Sequence, residues 1–175
     1  IDGTFTLSHH KVKLGKEPWS TQLKDPDQLA DLHGFSWLTD LYAVGTVEAR
    51  MKAGQLLCSW LEYNQKWQDL SWRPDILGER LSSWLYCFEF VSAKDEKIKS
   101  VLLNMAMIQA RHLGRSCAQA PKDARSFKAI QGLIFSAVCL PGAEIMLDVS
   151  FDLLDREIEW QVLPDGGHIE RNPSL

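Results

Sequence analysis

The polar residues best suited to chemistry lie near the C-terminal end of the sequence, directly after a sharp reversal of the chain. Pro164 stops a helical pattern, and Asp165-Gly166-Gly167 supplies a turn that accepts positive φ. Side chains able to exchange protons or bind anions follow it: His168, Glu170, Arg171 and Asn172. Because loops held by rigid elements often carry function, this segment is a candidate site. A motif so close to the end, with no closing element after it, predicts that the chain is a piece of a longer protein.

His168 is the candidate for proton transfer, because an imidazole titrates near neutral pH. Arg171 and Asn172 suit recognition of an acidic sugar, since a guanidinium contacts a carboxylate or sulfate through two hydrogen bonds. The structural alternatives are a hydrogen-bonded loop histidine at His168, and an ion pair of Arg171 with Glu170 or an acidic helix face. Asp165 is expected to serve the turn itself.

Two further candidates for sugar contacts lie before a predicted helix start. Arg73 precedes Pro74, and Trp72 could stack on a sugar ring. Both have structural alternatives, because Arg73 and Asp75 can serve the helix start and tryptophans such as Trp67 and Trp72 often wedge between helices.

The sequence predicts no metal or cofactor. His9 and His10 could form a metal pair, but a solvated turn is expected because no third ligand lies nearby. The cysteines are far apart, form no C-x-x-C pair and are expected to be buried free thiols: Cys58, Cys87, Cys117 and Cys139.

Composition predicts one globular domain, with 175 residues, 45% hydrophobic and 24% charged. Nineteen basic and 23 acidic residues give a net charge of −4, which argues against broad nucleic-acid binding but allows a local basic groove. No run approaches the ~20 apolar residues of a membrane span, and the N-terminus lacks a signal pattern. The sequence is compatible with a periplasmic and with a cytoplasmic location.

The elements that position these residues are helical beyond the first 24 residues. Residues 3–14 alternate apolar and polar side chains around a polar turn, which predicts a short β-hairpin. Six segments then show helical spacing, at 25–42 with an interruption at Gly34, 46–64, 73–88, 98–113, 124–140 and 143–163. Six helices joined by short loops predict an all-α array of antiparallel hairpins, and a bundle stays open. The expected core positions of the last predicted helix and the 98–113 helix include Val149, Trp160, Val101 and Ile108.

Five stretches together resemble the heparinase II/III family of bacterial polysaccharide lyases. The most specific is QVLPDGGHIERNPS at 161–174, and the others are LHGFSWL at 32–38, WRPD at 72–75, QARHL at 109–113 and CLPG at 139–142. The resemblance covers residues 25–175 and implies an incomplete α/α toroid, with residues 1–24 as an N-terminal extension or hairpin. In full-length members, β-sandwich domains follow the toroid.

The resemblance implies β-elimination on a uronate-containing, acidic polysaccharide. In that reaction a donor such as Asn, His or Arg neutralises the uronate carboxylate, and Tyr or His moves protons, with no metal required. The sequence has Leu175 where a catalytic Tyr is common, and Ala124-Arg125 where Asn-His is common. Arg125 could supply the neutralising charge.

Those departures keep two other functions open. One is a non-catalytic glycan-binding or scaffold toroid. A weaker one is an α/α-barrel glycoside hydrolase, for which Asp and Glu side chains should converge in a cavity.

Overall fold

The chain consists of a two-stranded hairpin followed by α-helices. A computed structural model describes residues 3–14, 18–20, 23–64, 69–92 and 95–171. The elements in order are β1 (Thr4–Leu7), β2 (His10–Lys13), α1 (Pro26–Gly34), α2 (Leu38–Val44), α3 (Val47–Tyr63), α4 (Pro74–Tyr86), α5 (Phe88–Ser92), α6 (Glu96–Ser116), α7 (Arg125–Cys139) and α8 (Met146–Gln161). Short 3-10 turns occupy Pro18–Ser20 and Cys117–Gln119. The prediction of an all-α fold with an N-terminal β-hairpin is confirmed.

The hairpin is closed by a two-residue turn and is tied to the first helix. Ser8 and His9 have φ values of 45° and 65°, and Leu7 pairs with His10 in antiparallel register. Two positive φ angles in a two-residue loop match the twist of the strands. The Ser8 N–H donates to Asp31 Oδ2 at 2.6 Å, so the turn lies against α1.

The prediction of one helical segment at 25–42 is wrong, because the helix breaks between α1 and α2. Phe35 adopts the left-handed conformation with φ 63°. This places its fully buried ring against Trp60 and Trp84, with centroids 5.6 and 5.5 Å away. Burial of an aromatic side chain offsets the roughly 1–2 kcal/mol that a left-handed residue costs.

Helices α4 and α7 form the central pair of the fold, and their backbones touch. A Cβ atom at Gly132 would overlap the backbone of Gly78, and a Cβ at Gly78 would overlap the carbonyl of Lys128. Two glycines at one crossing permit this approach, since neither places a side chain between the helices. The close pairing fixes the N-terminal ends of α4 and α7 relative to each other.

Two apolar clusters form the core. One is aromatic, around Trp60 and Trp84, and the other joins α4, α6, α7 and α8 around Leu81 and Leu133. Several core predictions were wrong, because these side chains are 42 to 51% exposed: Val101, Ile108, Val149 and Trp160. In α8 the predicted core position Leu153 is buried, and the other buried positions of that helix are Ser150 and Gln161.

The cysteines divide between core and surface. Cys87 and Cys117 are buried, and burial raises the pKa of each thiol to about 11. Cys58 is half-buried, and Cys139 is exposed, contrary to the expectation that all four are buried.

A buried arginine joins four parts of the aromatic core. Arg80 is 0% exposed, and its guanidinium donates to Gln109 Oε1 at 2.8 Å, to the His33 carbonyl at 2.9 Å and to the Ser71 carbonyl at 2.8 Å. Its Cζ lies 4.5 Å from the centroid of the Trp60 ring. Among the described residues no carboxylate pairs with it. Burial lowers the pKa of Arg80 to about 9, which leaves it protonated at neutral pH.

His33 is held neutral beside that cation. The indole N–H of Trp60 donates to His33 Nδ1 at 3.1 Å. Burial, together with the charge of Arg80, lowers the pKa of His33 to about 4. The aromatic core therefore places Arg80, a cation with no carboxylate partner among the described residues, beside an imidazole that must stay unprotonated.

Candidate functional site

A groove of about 440 Å³ lies where the hairpin turn, α1, and the N-terminal ends of α4 and α7 meet. We call it the α4–α7 groove. Its titratable lining residues are His9, Asp27, Asp31, Arg73, Asp75, Glu79, Arg125 and Lys128. Arg73 and Arg125 are two of the predicted sugar contacts, and they come together although 51 residues separate them in sequence.

Arg73 is held at the start of α4 by a two-point ion pair. Its Nε lies 2.7 Å from Asp75 Oδ1, and its second contact is Nη2 to Asp75 Oδ2 at 2.8 Å. The Asp75 side chain is 4% exposed and that of Arg73 is 31% exposed. Because a guanidinium has five N–H donors and this pair uses two, the outer edge of Arg73 can still bind an anionic ligand.

Arg125 has a similar arrangement at the start of α7. The side chain of Asp123 accepts the Arg125 backbone N–H at 2.9 Å and the Arg125 Nη2 at 2.6 Å. Hydrogen bonds from Arg125 hold the pKa of Asp123 below its usual value, and Asp123 raises the pKa of Arg125. The Arg125 side chain is 46% exposed. It is therefore a fixed cation that is open to solvent.

A third ion pair crosses from α7 to α4. Lys128 Nζ lies 3.0 and 3.1 Å from the two carboxylate oxygens of Glu79. Burial raises the pKa of Glu79, and Lys128 opposes that effect. Sequence reasoning missed both residues. Helical spacing was the available signal, since Lys128 is three residues after Arg125 and Glu79 is four after Asp75, so each pair shares a helix face.

His168 lies in a C-terminal hook, residues 161–171, and does not line the groove. The Gly166 N–H donates to the Leu163 carbonyl at 2.8 Å, Gly166 has φ 82°, and Val162 bridges to His168. The Glu170 N–H donates to His168 Nδ1 at 3.2 Å, and Nε2 lies 2.8 Å from Gln161 Oε1. Because Nδ1 accepts, the proton belongs on Nε2. Both ring nitrogens are therefore engaged within the hook.

Gln161 connects this hook to the start of α7. It is fully buried, and its amide nitrogen lies 2.8 Å from Ser126 Oγ, 2.6 Å from Glu157 Oε2 and 3.2 Å from the Asp123 carbonyl. Asp123 in turn holds Arg125. The network thus fixes the hook against the base of the α4–α7 groove while keeping His168 outside it.

The other predicted site residues have separate locations. The Trp72 ring packs edge-on against His112, with centroids 5.1 Å apart, and does not line the groove. Arg171 is exposed in the hook with φ 49°. Asn172, Leu175 and Trp67 lie outside the described residues. Roles of His168, Arg171, Asn172, Arg73, Arg125 and Trp72 in binding or chemistry stay predictions.

Among the described residues, no group of three or more His, Cys, Asp or Glu side chains could hold a metal ion. Within the same ranges, no helix combines the length and apolar character needed to cross a membrane.

Comparisons with known proteins give one sequence relative and one structural neighbour. No family model matches the chain. It is similar to FtsZ-localized protein C of Caulobacter vibrioides, with 29% identity over 177 residues, covering 99% of this chain and 30% of that protein. A solved heparinase III structure matches with a TM-score of 0.72 and 18% identity, over 99% of this chain and 32% of that chain.

The chain thus spans less than a third of either protein. At 18% identity the structural likeness shows the fold alone. The predicted incomplete α/α toroid is confirmed at that level, because a helical toroid heparinase shares the arrangement of these helices. The comparisons support a heparinase-like fold in this chain.

Proposed function

We propose that this chain is the groove-forming part of a heparinase-like toroid that binds an acidic glycan and does not itself supply the acid–base pair for its cleavage. The convergence of Arg73 and Arg125 in one groove carries the proposal. Each guanidinium is fixed by one aspartate and has an open edge, an arrangement suited to a sugar carboxylate.

The charge balance of the groove favours a particular kind of acidic glycan. Three cations line it together with four carboxylates, and Asp75 and Glu79 already engage Arg73 and Lys128. A densely sulfated chain would be repelled by the remaining carboxylates, whereas isolated uronate groups can reach the open guanidinium edges. We therefore assign unsulfated, uronate-containing oligosaccharides as the ligand class.

The hook supports the non-catalytic part of the proposal. His168 uses both imidazole nitrogens in hydrogen bonds, so proton transfer to a sugar would first require the hook to rearrange. The sequence also has Leu175 and Ala124-Arg125 where lyases of the heparinase II/III family commonly have Tyr and Asn-His.

One experiment on the full-length protein separates binding from cleavage. Incubation with unsulfated hyaluronan oligosaccharides should give measurable binding by calorimetry and no ultraviolet absorbance from an unsaturated uronate. The double variant Arg73→Ala and Arg125→Ala should weaken binding at least about tenfold, while Arg111→Ala, an exposed arginine on α6, should not.

Appearance of the unsaturated product would reject the non-catalytic proposal and favour β-elimination. In that case His168→Ala is the next variant to assay, since loss of turnover with intact folding would assign it as the proton-transfer residue. Reducing ends released without unsaturation would instead favour hydrolysis by the carboxylates of the groove.

The similarity to an FtsZ-localized protein supports a second role, as a scaffold positioned with FtsZ in dividing cells. A fluorescent fusion of the full-length protein should then concentrate at the division site together with FtsZ. Uniform distribution of the fusion in dividing cells would contradict this role without affecting the glycan proposal.

A further inference from the structure

A small cavity lies between the first strand of the hairpin and helices α2 and α3. It has a volume of about 110 Å³. Residues 3–6 line one side of it, and the other side consists of Trp37, Asp40, Leu41, Lys52 and Leu56. Of the described lining residues, none belongs to β2, so the cavity lies along the edge of β1 that faces away from β2. We call it the β1 edge cavity.

The backbone of Thr6 points towards this cavity. The Leu14 N–H donates to the Gly3 carbonyl at 3.1 Å. Because bonded and non-bonded pairs alternate along an antiparallel ladder, Gly3 and every second residue after it bond to β2. Thr6, opposite Lys11, belongs to the other set, so its N–H and C=O point away from β2. Among the described residues these two groups have no hydrogen-bond partner, which makes this position an open strand edge.

The floor of the β1 edge cavity is apolar. Trp37 and Leu56 are buried and Leu41 is half-buried. Phe5 points to the same floor, with its ring 5.2 Å from the Trp37 ring between centroids. Side chains alternate between the two faces of a strand, so every second residue of a strand added beside β1 would also point to this floor. The space is smaller than the ~150 Å³ that holds a benzene ring, and it suits one aliphatic side chain.

The surroundings of the cavity are basic. Lys11 and Lys13 are exposed and lie opposite residues 6 and 4 on the outer face of the hairpin, and Lys52 lines the cavity. Within the part of the chain that the structure describes, none of these lysines forms a salt bridge. Asp40 is the one carboxylate among the described lining residues. Outward-pointing acidic side chains of an added strand would therefore be attracted to this surface.

We propose that the β1 edge cavity binds an extended segment of a protein partner, which adds to the hairpin as a third strand. Its apolar side chains point towards Trp37, and the acidic side chains that alternate with them point towards the lysines. Main-chain hydrogen bonds to Thr6 supply affinity, and the apolar floor supplies specificity. The inference is independent of glycan binding, because the described lining residues of this cavity and of the α4–α7 groove are different.

The test uses two peptide probes on the full-length protein. The first is a blocked peptide of about seven residues that alternates glutamate with valine, and the second has lysine in place of glutamate. Calorimetry should show that the acidic peptide binds more tightly by at least about tenfold.

A proline at the strand edge tests the main-chain contact. Thr6→Pro removes the outward N–H without removing a hydrogen bond to β2, and it should weaken binding of the acidic peptide about tenfold. Thr6→Val keeps the N–H and is the matched control. If Thr6→Pro does not fold, Lys52→Glu tests the charge instead and should also weaken binding, whereas Lys97→Glu, at an exposed position on α6, should not.

The outcomes that would overturn the inference are distinct. They are failure of the acidic peptide to bind, equal affinity for the two peptides, and unchanged affinity in both Thr6→Pro and Lys52→Glu. A weaker affinity in Thr6→Val or Lys97→Glu would also reject it. A dimer of the wild-type protein that Thr6→Pro dissociates in sedimentation would assign the edge to a second copy of the chain. Arg73→Ala with Arg125→Ala should leave peptide affinity unchanged, and a loss there would contradict a separate site.

Discussion

Arg73 and Arg80 are only seven residues apart, at the start and in the middle of α4, yet the protein satisfies their charges in opposite ways. Arg80 is completely buried, donates to two carbonyls and one amide, and lies over an indole ring. Arg73 is partly exposed and pairs with a carboxylate. The comparison shows that the guanidinium in the core is surrounded by neutral acceptors that hold the fold together, whereas the one in the groove pairs with a carboxylate and keeps one edge exposed to solvent.

The difference follows from desolvation. Removal of the Arg80 charge from water is offset by hydrogen bonds to neutral acceptors and by the Trp60 ring, without a carboxylate that would also have to lose its hydration. At the groove, water solvates Arg73 and Arg125, so their aspartate partners mainly fix orientation. The buried cation should therefore dominate stability and the groove cations should dominate binding.

The largest expected effect comes from removing the buried cation. Arg80→Ala should lower the free energy of unfolding by about 4 kcal/mol, since it creates a cavity and removes the guanidinium donor from three hydrogen bonds. Urea denaturation measures the loss, and the exposed Arg111→Ala is the control. If the alanine variant does not fold, Arg80→Lys, which keeps the charge and loses the planar fork, should still show a smaller deficit. A loss below about 1 kcal/mol would contradict the structural role.

The close crossing of α4 and α7 should be the next most sensitive feature. Gly132→Ala forces a methyl group into the backbone of Gly78 and should cost about 3 kcal/mol of unfolding free energy. Gly114→Ala is a matched control on α6, because its nearest neighbours would be 3.8 Å away and alanine favours a helix. Similar denaturation midpoints for the two variants would show that the crossing tolerates separation.

Acid should destabilise the aromatic core through His33. Folding lowers the pKa of His33 from 6.5 to about 4, so the folded state binds this proton less tightly than the unfolded state. The contribution of neutral His33 to the free energy of unfolding is therefore fully present above pH 6.5 and is lost as the pH falls towards 4. Between pH 7 and pH 5 the loss should be about 2 kcal/mol, and His33→Gln should remove that component. An identical pH dependence in both proteins would argue against a neutral His33.

The smallest stability effect is expected in the groove. Arg125→Ala should change the free energy of unfolding by less than about 1 kcal/mol, because its ion pair with Asp123 is largely exposed to water. Glycan affinity, measured by calorimetry on the same protein, should nevertheless fall. A stability loss comparable to that of Arg80→Ala would remove the contrast between core and groove cations.

Local sequence signals predicted most of the elements. The hairpin turn and the hook turn were visible from their polar and glycine residues, and the helices from apolar spacing, because each depends mainly on near neighbours. Gly34 interrupted the first apolar stripe beside the break, but the left-handed conformation of Phe35 was not predicted, since an aromatic residue enters that region here for the sake of contacts with Trp60 and Trp84. The exposure of Val101 and Trp160 likewise depended on which neighbours each helix meets.

The sequence by itself determined that the chain is helical after a short hairpin, that Arg73 and Arg125 lie at helix starts, and that a turn precedes His168. Only the tertiary structure decided what these positions mean. Two facing glycines bring α4 and α7 together, which places Arg125 beside Arg73 and adds Lys128 and Glu79 to the same groove. Gln161 holds His168 in the hook, outside that groove. Periodicity specifies helix faces, whereas the relative placement of those faces depends on contacts between residues far apart in sequence.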